Sequence, residues 1–565
     1  MHLAVAFELA ASRYPEAQAL VTPRERVCYA AWRDRVHKLA KALARAGLRR
    51  GDRAALCIAD PSALATAFVA VQAAGAVAVL LHSRWKAGEI AFALRDARPR
   101  LLVYDPSTAQ AASAAVGGGE SALAAAEPVE LRAFVLQACG GAEDGPKPPN
   151  PHGAGTQSVA AGTASAWPCD AGPSTIFYTS GTTGRPKGVV RTHRSDYHAA
   201  LAMILEHGWG RFERVLGVMP LYHTMGLHTL ISLILLNGAL VVPDRFDPPR
   251  CLEWVQAEEV SALYLVPTAF HDLVEAAAGA VVPVPRLAFA GAPMAPGLVE
   301  RCREVFRPQL FVNHYGCTEM HLITANRRLD RKPACAGRPG LHTRLQVVPA
   351  VAEPQDGGAV MTAAAPGSAD SRIGGQPAFR QLAPGEVGEV VVDAGSPQAF
   401  SGYLNRPDAT RRALRDGWYF TGDLGYLDDE GELFLTGRID DLIITGGENV
   451  YPAEVEAVLE AHPGVREVAV VGLPDDRWGQ VVTAFVVPRS PDLCPQELDR
   501  FCLASADLAR FKRPRRYVFV ESLPRSPAGK LVRAALRETG AFAGRPTPSE
   551  RRGESADGRH AAGTL

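Results

Sequence analysis

Over the first hundred residues, apolar positions switch between two repeats. From Tyr29 to Leu48 they recur every three to four residues and predict an amphipathic helix. Arg53–Ala59 follows a Gly-Asp turn and is continuously apolar after its arginine, which predicts a buried strand. Ala63–Ala76 reads as a second helix and Val77–Leu81 as a second strand. This rhythm predicts an α/β fold with a mostly parallel sheet covered on both faces. Ser174–Tyr178 reads as a further strand. The most apolar stretch, Leu216 to Val242, contains His223, His228 and Asn237, so it predicts a buried sheet-and-helix segment and no membrane span.

Past Arg438 a smaller αβ pattern begins. Glu467–Val471, Val481–Val487 and Tyr517–Val520 read as strands, and Ala453–Ala461 as a helix. The expected organisation is an N-terminal domain over 1–438, a C-terminal domain over 439–541 and a disordered polar tail over 542–565. Two stretches rich in Ala, Gly, Pro and Ser, about 109–171 and 350–384, read as poorly ordered insertions, with a strand at Leu131–Leu136 inside the first.

Composition narrows the partners. Lys plus Arg and Asp plus Glu both number 60, so no global basic field exists to hold a nucleic acid or an anionic membrane. A small-molecule substrate is the default. The ten cysteines include no CxxC pair or zinc-like spacing, which predicts reduced thiols and a cytoplasmic protein. The opening MHLAVAFELAASRYPEA lacks a basic leader and does not read as a signal peptide. The oligomeric state stays open, a homodimer among the options.

The strongest local signal is the run Tyr178 to Gly188, YTSGTTGRPKG. Hydroxyls of Thr179, Ser180, Thr182 and Thr183 alternate with Gly181 and Gly184 and lead to Lys187. Glycines let backbone N–H groups approach phosphate, hydroxyls add donors, and the lysine supplies a point charge. No GK[ST] closes the run, so it is not a Walker A loop. On local physics alone it also fits a solvated turn.

The run resembles the nucleotide loop of the adenylate-forming superfamily: acyl- and aryl-CoA synthetases, peptide-synthetase adenylation domains and firefly-type luciferases. Four further stretches match in the family's order: YGCTE at Tyr315–Glu319, YFTGD at Tyr419–Asp423, GRIDD at Gly437–Asp441 running to GGENVYP at Gly446–Pro452, and SPAGK at Ser526–Lys530. The resemblance implies a large N-terminal lobe of stacked αβα sheets with a small β-barrel-like part, and a small mobile α+β C-terminal lobe. It implies ATP, Mg²⁺ and coenzyme A as cofactors and a small carboxylic acid as substrate.

Residue roles follow from the same resemblance. Glu319 matches the carboxylate that holds the ATP-bound magnesium, a hard ligand for a hard ion. Thr318 matches a hydroxyl on the α-phosphate, Tyr315 an aromatic against adenine, Asp423 the ribose carboxylate and Arg438 an arginine that reaches the nucleotide. Lys530 matches a cation delivered to the α-phosphate during adenylation. Asp440 matches a hinge about which the small lobe swaps Lys530 for the Gly446-Gly447 loop beside the thiol channel.

Within the family, the sequence is most similar to aryl-CoA ligases of the 4-chlorobenzoate and benzoate type, through MPLYH at Met219–His223, FAGA at Phe289–Ala292, DRWGQ at Asp476–Gln480 and ARFKRPRRY at Ala509–Tyr517. By that resemblance Arg84, Phe511 and Arg513 serve the thioester step and the coenzyme A nucleotide, and His223 is an aromatic gate near the substrate carboxylate. The acyl pocket is expected from Tyr197–Met203, His223–Met225, Ala290–Ala292 and His314–Leu322. His314 and His321 depart from an apolar halobenzoate pocket and point to a polar substituent or a non-aromatic acid. The expected reaction is activation of a carboxylic acid, aryl first and medium aliphatic second, through acyl-AMP to the coenzyme A thioester. Loading of a carrier protein, a non-catalytic nucleotide-binding scaffold and a luciferase-like oxygenase are the alternatives. An amino-acid substrate is disfavoured, because Leu221 to Met225 offers no carboxylate for an ammonium group.

Overall fold

The computed structural model describes residues 1–117, 132–135, 171–179, 186–350, 379–445, 448–475, 478–505, 508–525 and 531–543. Two large sheets build the N-terminal part. The first has nine strands and is parallel through its centre, from Leu310–Tyr315 across Arg286–Phe289, Ala262–Leu265, Arg214–Leu216 and Ala239–Val241 to Gln18–Val21. The second has seven strands, parallel across Pro173–Thr179, Val77–Leu80, Arg53–Cys57, Leu101–Tyr104 and Arg132–Val135. Lys187–Thr192 and Gly402–Tyr403 extend this sheet antiparallel.

Strand alternation decides which residues meet. Ala54 and Leu56 join a core shared with Leu240 and Tyr264 of the other sheet, while Ala55 and Cys57 face the opposite side. Helices Leu3–Arg13, Tyr29–Arg45, Pro61–Ala73 and Thr224–Leu236 contribute to the shared core, so they form a layer between the sheets. Tyr29–Arg45 keeps a polar face outward, whereas Thr224–Leu236 is enclosed and buries every residue from Gly226 to Ile234, so it is apolar all round. That explains the run around Thr224–Leu236, and no helix among the described residues is long and apolar enough to cross a membrane. Pro248–Ala257, Pro267–Ala277 and Pro296–Phe306 cover the outer face of the first sheet.

Ala109–Gly117, expected within an insertion, is a helix that packs on Ala87–Ala97 and buries Ala112. Alanine reads as low complexity, yet it is the best helix former. A five-stranded antiparallel sheet, with Gly388–Asp393 and Trp418–Leu427 at its centre and Leu433–Arg438 paired to the latter, makes the small β part. The C-terminal lobe has its own five-stranded sheet, in which Val465–Asp475 pairs antiparallel with Gly479–Pro488, packed with helices Pro452–Glu460 and Arg533–Ala543.

The shared core also holds imidazoles. His207 Nε2 lies 3.0 Å from His314 Nδ1, the Tyr264 hydroxyl lies 3.1 Å from the same atom, and His314 Nε2 donates to the His321 carbonyl at 2.9 Å. Burial is the main cause that pushes all three imidazoles down, His314 to about 4. These rings are neutral when folded and gain protons on unfolding below an ordinary histidine pKa of about 6.5. Stability is therefore present above about pH 6.5 and lost as pH falls toward 4, with His314 alone accounting for about 3 kcal/mol. Urea unfolding midpoints at pH 7.5, 6 and 5 should fall in that order, and a flat series would contradict neutral buried rings.

Candidate active site

Tyr315 ends the parallel strand Leu310–Tyr315, at the carboxyl edge where open α/β sheets bind ligands. The chain then turns so tightly that a Cβ on Gly316 would stand 1.8 Å from the His321 carbonyl oxygen, which only glycine avoids. Ile323 N–H donates to the Tyr315 carbonyl at 2.9 Å and closes the loop that carries Thr318 and Glu319. Glu319 is buried, and its Oε1 accepts a hydrogen bond from the Tyr403 hydroxyl at 2.8 Å. Among the described residues it has no cationic partner. A buried carboxylate with no cation beside it among the described residues is a hard donor that fits a divalent ion.

Tyr403 also meets Lys187. Its strand pairs with Lys187–Thr192, Tyr403 opposite Val189, and the Lys187 ammonium stands 5.2 Å from the Tyr403 ring centroid. Lys187 in turn faces Thr179 on the neighbouring antiparallel strand, so the hydroxyl- and glycine-rich run joins those two strands in sequence. Within that run Ser180, Gly181, Thr182, Thr183 and Gly184 lie outside the described residues.

Asp423 and Arg438 are direct partners on antiparallel strands. They form an ion pair, and the Tyr315 hydroxyl donates to the other Asp423 oxygen at 2.6 Å. Burial works against the Arg438 cation, but Asp423 and Asp440 more than offset it and hold its pKa above the ordinary value. Gly422 has φ +72, and a Cβ there would stand 2.8 Å from Arg438 Nη2, so glycine leaves room for the pair. The structure thus gathers Tyr315, Thr318, Glu319, Asp423, Arg438 and Lys187 around the end of one strand.

Asp440 is exposed in a single 3₁₀ turn, Ile439–Asp441, directly after Arg438. Arg537, from the last helix, donates to the Asp440 carbonyl at 3.3 Å and to the Asp441 carboxylate at 2.6 Å. Gly446, Gly447 and Lys530 lie outside the described residues. Phe511 is exposed, and Arg513 pairs with Asp499 at 2.9 Å.

His223 caps the start of helix Thr224–Leu236, with no partner for its buried Nε2. Burial, and then His82, push its pKa down to about 4, so the ring is neutral near pH 7. Its ring lies 6.0 Å from that of His82, whose Nδ1 accepts from the N–H of exposed Arg84 at 3.0 Å. Of the two histidines expected in the acyl pocket, His314 is committed to Tyr264, His207 and the His321 carbonyl. His321 stays buried with Nε2 unpartnered, 4.1 Å between ring centroids from His228. Sequence reasoning missed Tyr403, which stands in a Gly-Tyr pair with no periodic signal, and it missed the buried Arg191 and Asp196, whose spacing looks like a solvated charge pair.

Residues 7–404 match the AMP-binding enzyme family and residues 454–530 match the AMP-binding enzyme C-terminal domain. The chain is 35% identical to a 4-chlorobenzoate–CoA ligase of Arthrobacter sp over 545 residues, covering 94% of this chain and 95% of that one. It is 31% identical to a long-chain-fatty-acid–CoA ligase of Mycobacterium tuberculosis over 533 residues, 93% of this chain and 95% of that one. Its fold is similar to that of o-succinylbenzoate CoA synthetase from Bacillus subtilis solved with the acyl-adenylate intermediate, with a TM-score of 0.75, 28% identity, and coverage of 94% and 97% of the two chains. The same enzyme solved with ATP and magnesium ion gives the same TM-score and identity, with 94% and 98% covered. Matched along nearly its whole length, this chain belongs to the AMP-binding enzyme family.

Proposed function

We propose that the protein is an acid–CoA ligase that activates a monocyclic aryl acid with ATP and passes the acyl group to coenzyme A. A substrate carboxylate oxygen bonds to the α-phosphorus, and pyrophosphate leaves. The coenzyme A sulfur then bonds to the acyl carbon, and AMP leaves. The observation that carries this reading is the buried Glu319 carboxylate, short of a cation and linked through Tyr403 to Lys187. The likeness to CoA ligases along nearly the whole chain supports it.

In this reading Lys187 and the hydroxyl-rich hairpin bind the outer phosphates, Thr318 the α-phosphate, Tyr315 the adenine and Asp423 the ribose. A carboxylate keeps acceptor capacity beside the Tyr315 and Arg438 bonds, which leaves sites for ribose hydroxyls. Glu319 and the phosphates would hold magnesium, which when bound screens the phosphate charge against the incoming carboxylate. Neutral His223 guards the acid without adding charge. Lys530 stabilises charge at the α-phosphorus, and rotation about Asp440 exchanges it for the Gly446-Gly447 loop. Arg84, Phe511 and Arg513 receive the coenzyme A nucleotide. A cytoplasmic setting belongs to the same reading, and all eight described cysteines are free thiols.

A medium aliphatic acid is the runner-up, favoured by the likeness to the mycobacterial fatty-acid ligase. Thioester formation with ATP, Mg²⁺ and coenzyme A across benzoates, phenylacetates, cinnamates and aliphatic acids tests the aryl reading. An aryl acid should give the highest kcat/KM; a medium aliphatic acid outrunning every aromatic one would overturn it. His321→Ala should reorder the acids while leaving ATP affinity alone, and an unchanged order would place His321 outside the acyl pocket.

Glu319→Gln keeps shape and removes charge. It should raise the Mg²⁺ requirement and sharply lower adenylation, because an amide is a poorer ligand for a hard cation. Wild-type activity at low Mg²⁺ would refute the assignment.

Lys530→Ala should slow adenylate formation by at least ~10²-fold and affect thioester formation from supplied acyl-adenylate far less. Gly447→Leu should do the reverse, by obstructing the thiol channel. Asp440→Pro, with φ fixed at the hinge, should damage the second step more than the first. Single-turnover measurement of each half-reaction checks all three, and equal losses in both steps for Lys530→Ala and Gly447→Leu would mean that one fixed pose does all the chemistry.

A further inference from the structure

The strand that begins with Lys187 carries a second cation, buried where the first is partly open. Lys187, Val189 and Arg191 share one face of Lys187–Thr192, and Arg191 is fully buried. Every arm of its guanidinium is used. Nε donates to Asp196 Oδ1 at 2.6 Å, Nη2 to the Ser195 carbonyl at 3.1 Å and Nη1 to the Thr318 carbonyl at 3.0 Å, with the Glu319 carbonyl 3.5 Å away. Asp196 is equally buried and committed. Its Oδ2 accepts from the hydroxyls of Ser174 at 2.6 Å and Thr175 at 2.8 Å, and its Oδ1 also meets His228 Nε2 at 3.0 Å. Burial alone would raise the Asp196 carboxyl, but Arg191, His228 and the Ser174 hydroxyl hold it well below the usual range.

We propose that Arg191, oriented by Asp196, is a positioning residue that fixes the Thr318–Glu319 turn so that the Glu319 carboxylate is presented to a magnesium ion on ATP. The proposal rests on the assignment of magnesium to Glu319. Two buried charges are a poor way to stabilise a core, since apolar side chains of similar volume commonly do as well or better. What the pair adds is direction. A planar guanidinium held on one side by a carboxylate presents its remaining N–H groups at fixed angles, which an ammonium cannot do. The turn it reaches has little regular structure of its own: Gly316 packs against His321, Cys317 N–H donates to the Met320 carbonyl at 3.1 Å, and Phe400 N–H to the Glu319 carbonyl at 2.9 Å. Arg191 is the side chain that ties this turn to the phosphate-side strand. Asp196 is itself held from a second element, by His228 on helix Thr224–Leu236.

Two variants test the proposal. Arg191→Lys keeps a charge opposite Asp196 but removes the fork. The pair Arg191→Met with Asp196→Asn removes both charges together, so that neither is left buried alone. Calorimetric ATP affinity, with and without Mg²⁺, is read alongside the Mg²⁺ dependence of acid-driven pyrophosphate release. Partners that orient a metal ligand are typically worth about 10- to 100-fold in metal affinity. Both variants should therefore lose about tenfold or more of the affinity that Mg²⁺ adds to ATP and raise half-saturating Mg²⁺ to match. ATP affinity without Mg²⁺ and KM for the acid should stay at wild-type values, a split that a general loss of folding would not produce. Folded variants with wild-type Mg²⁺ dependence would overturn the proposal. So would failure of both to fold, because the cluster would then serve the core. Glu319→Gln, read in parallel, separates the two ideas. If it raises the Mg²⁺ requirement and the Arg191 variants do not, the positioning role alone falls. If it leaves the requirement unchanged, the metal assignment falls and takes the proposal with it.

Discussion

The contact on which the site depends is the junction of Tyr315, Asp423 and Arg438. One carboxylate accepts from a phenol at the end of the large parallel sheet and from a guanidinium on the small antiparallel sheet. Arg438 is also the last residue before the 3₁₀ turn that leads into the C-terminal lobe. Three parts of the molecule therefore meet at Asp423. A charge-assisted contact of this kind is stronger and more directional than a neutral hydrogen bond. Its partial burial makes it costly to leave half made.

Charge explains the rest of the layout. Activation brings a carboxylate to a triphosphate, so one anion must approach another. The described residues answer with separated elements: Lys187 at a hairpin, Glu319 short of a cation, and neutral His223 near the position expected for the acid. A permanent cation at His223 would hold the carboxylate in place and oppose its attack. Desolvation keeps that ring uncharged and leaves the attracting charge to groups on the phosphate side. Arg191 bears on the geometry of this arrangement, because it touches the backbone of the turn, and Asp196 acts only by holding Arg191.

Much of this was legible in the sequence. Helix Tyr29–Arg45 and strands Arg53–Cys57 and Val77–Leu80 fall where periodicity put them, because each buries a face whose spacing matches its geometry. Tyr315, Asp423 and Arg438 were legible through their motifs, and the structure joins them by hydrogen bonds. Helix Ala109–Gly117 was not, since alanine-rich composition fits a packed helix and an unstructured insertion alike. Arg191, Asp196 and Tyr403 escaped for another reason. Whether a charge is buried depends on strands and helices distant in sequence, and no local pattern carries that information. The partners of His314 were hidden in the same way: Tyr264 and His207, from other elements, take its free nitrogen.

Whether the substrate carboxylate itself attacks the α-phosphorus is decided most directly by the fate of its oxygen. The protein is incubated with ATP, Mg²⁺, coenzyme A and an accepted acid carrying ¹⁸O in its carboxylate, and the products are read by mass spectrometry. Attack at the α-phosphorus followed by thioester formation predicts one labelled oxygen in AMP, with pyrophosphate unlabelled. Label in inorganic phosphate with ADP as coproduct would mean attack at the γ-phosphorus, and AMP without label would mean that the acid is not activated as its adenylate; either result would contradict the account.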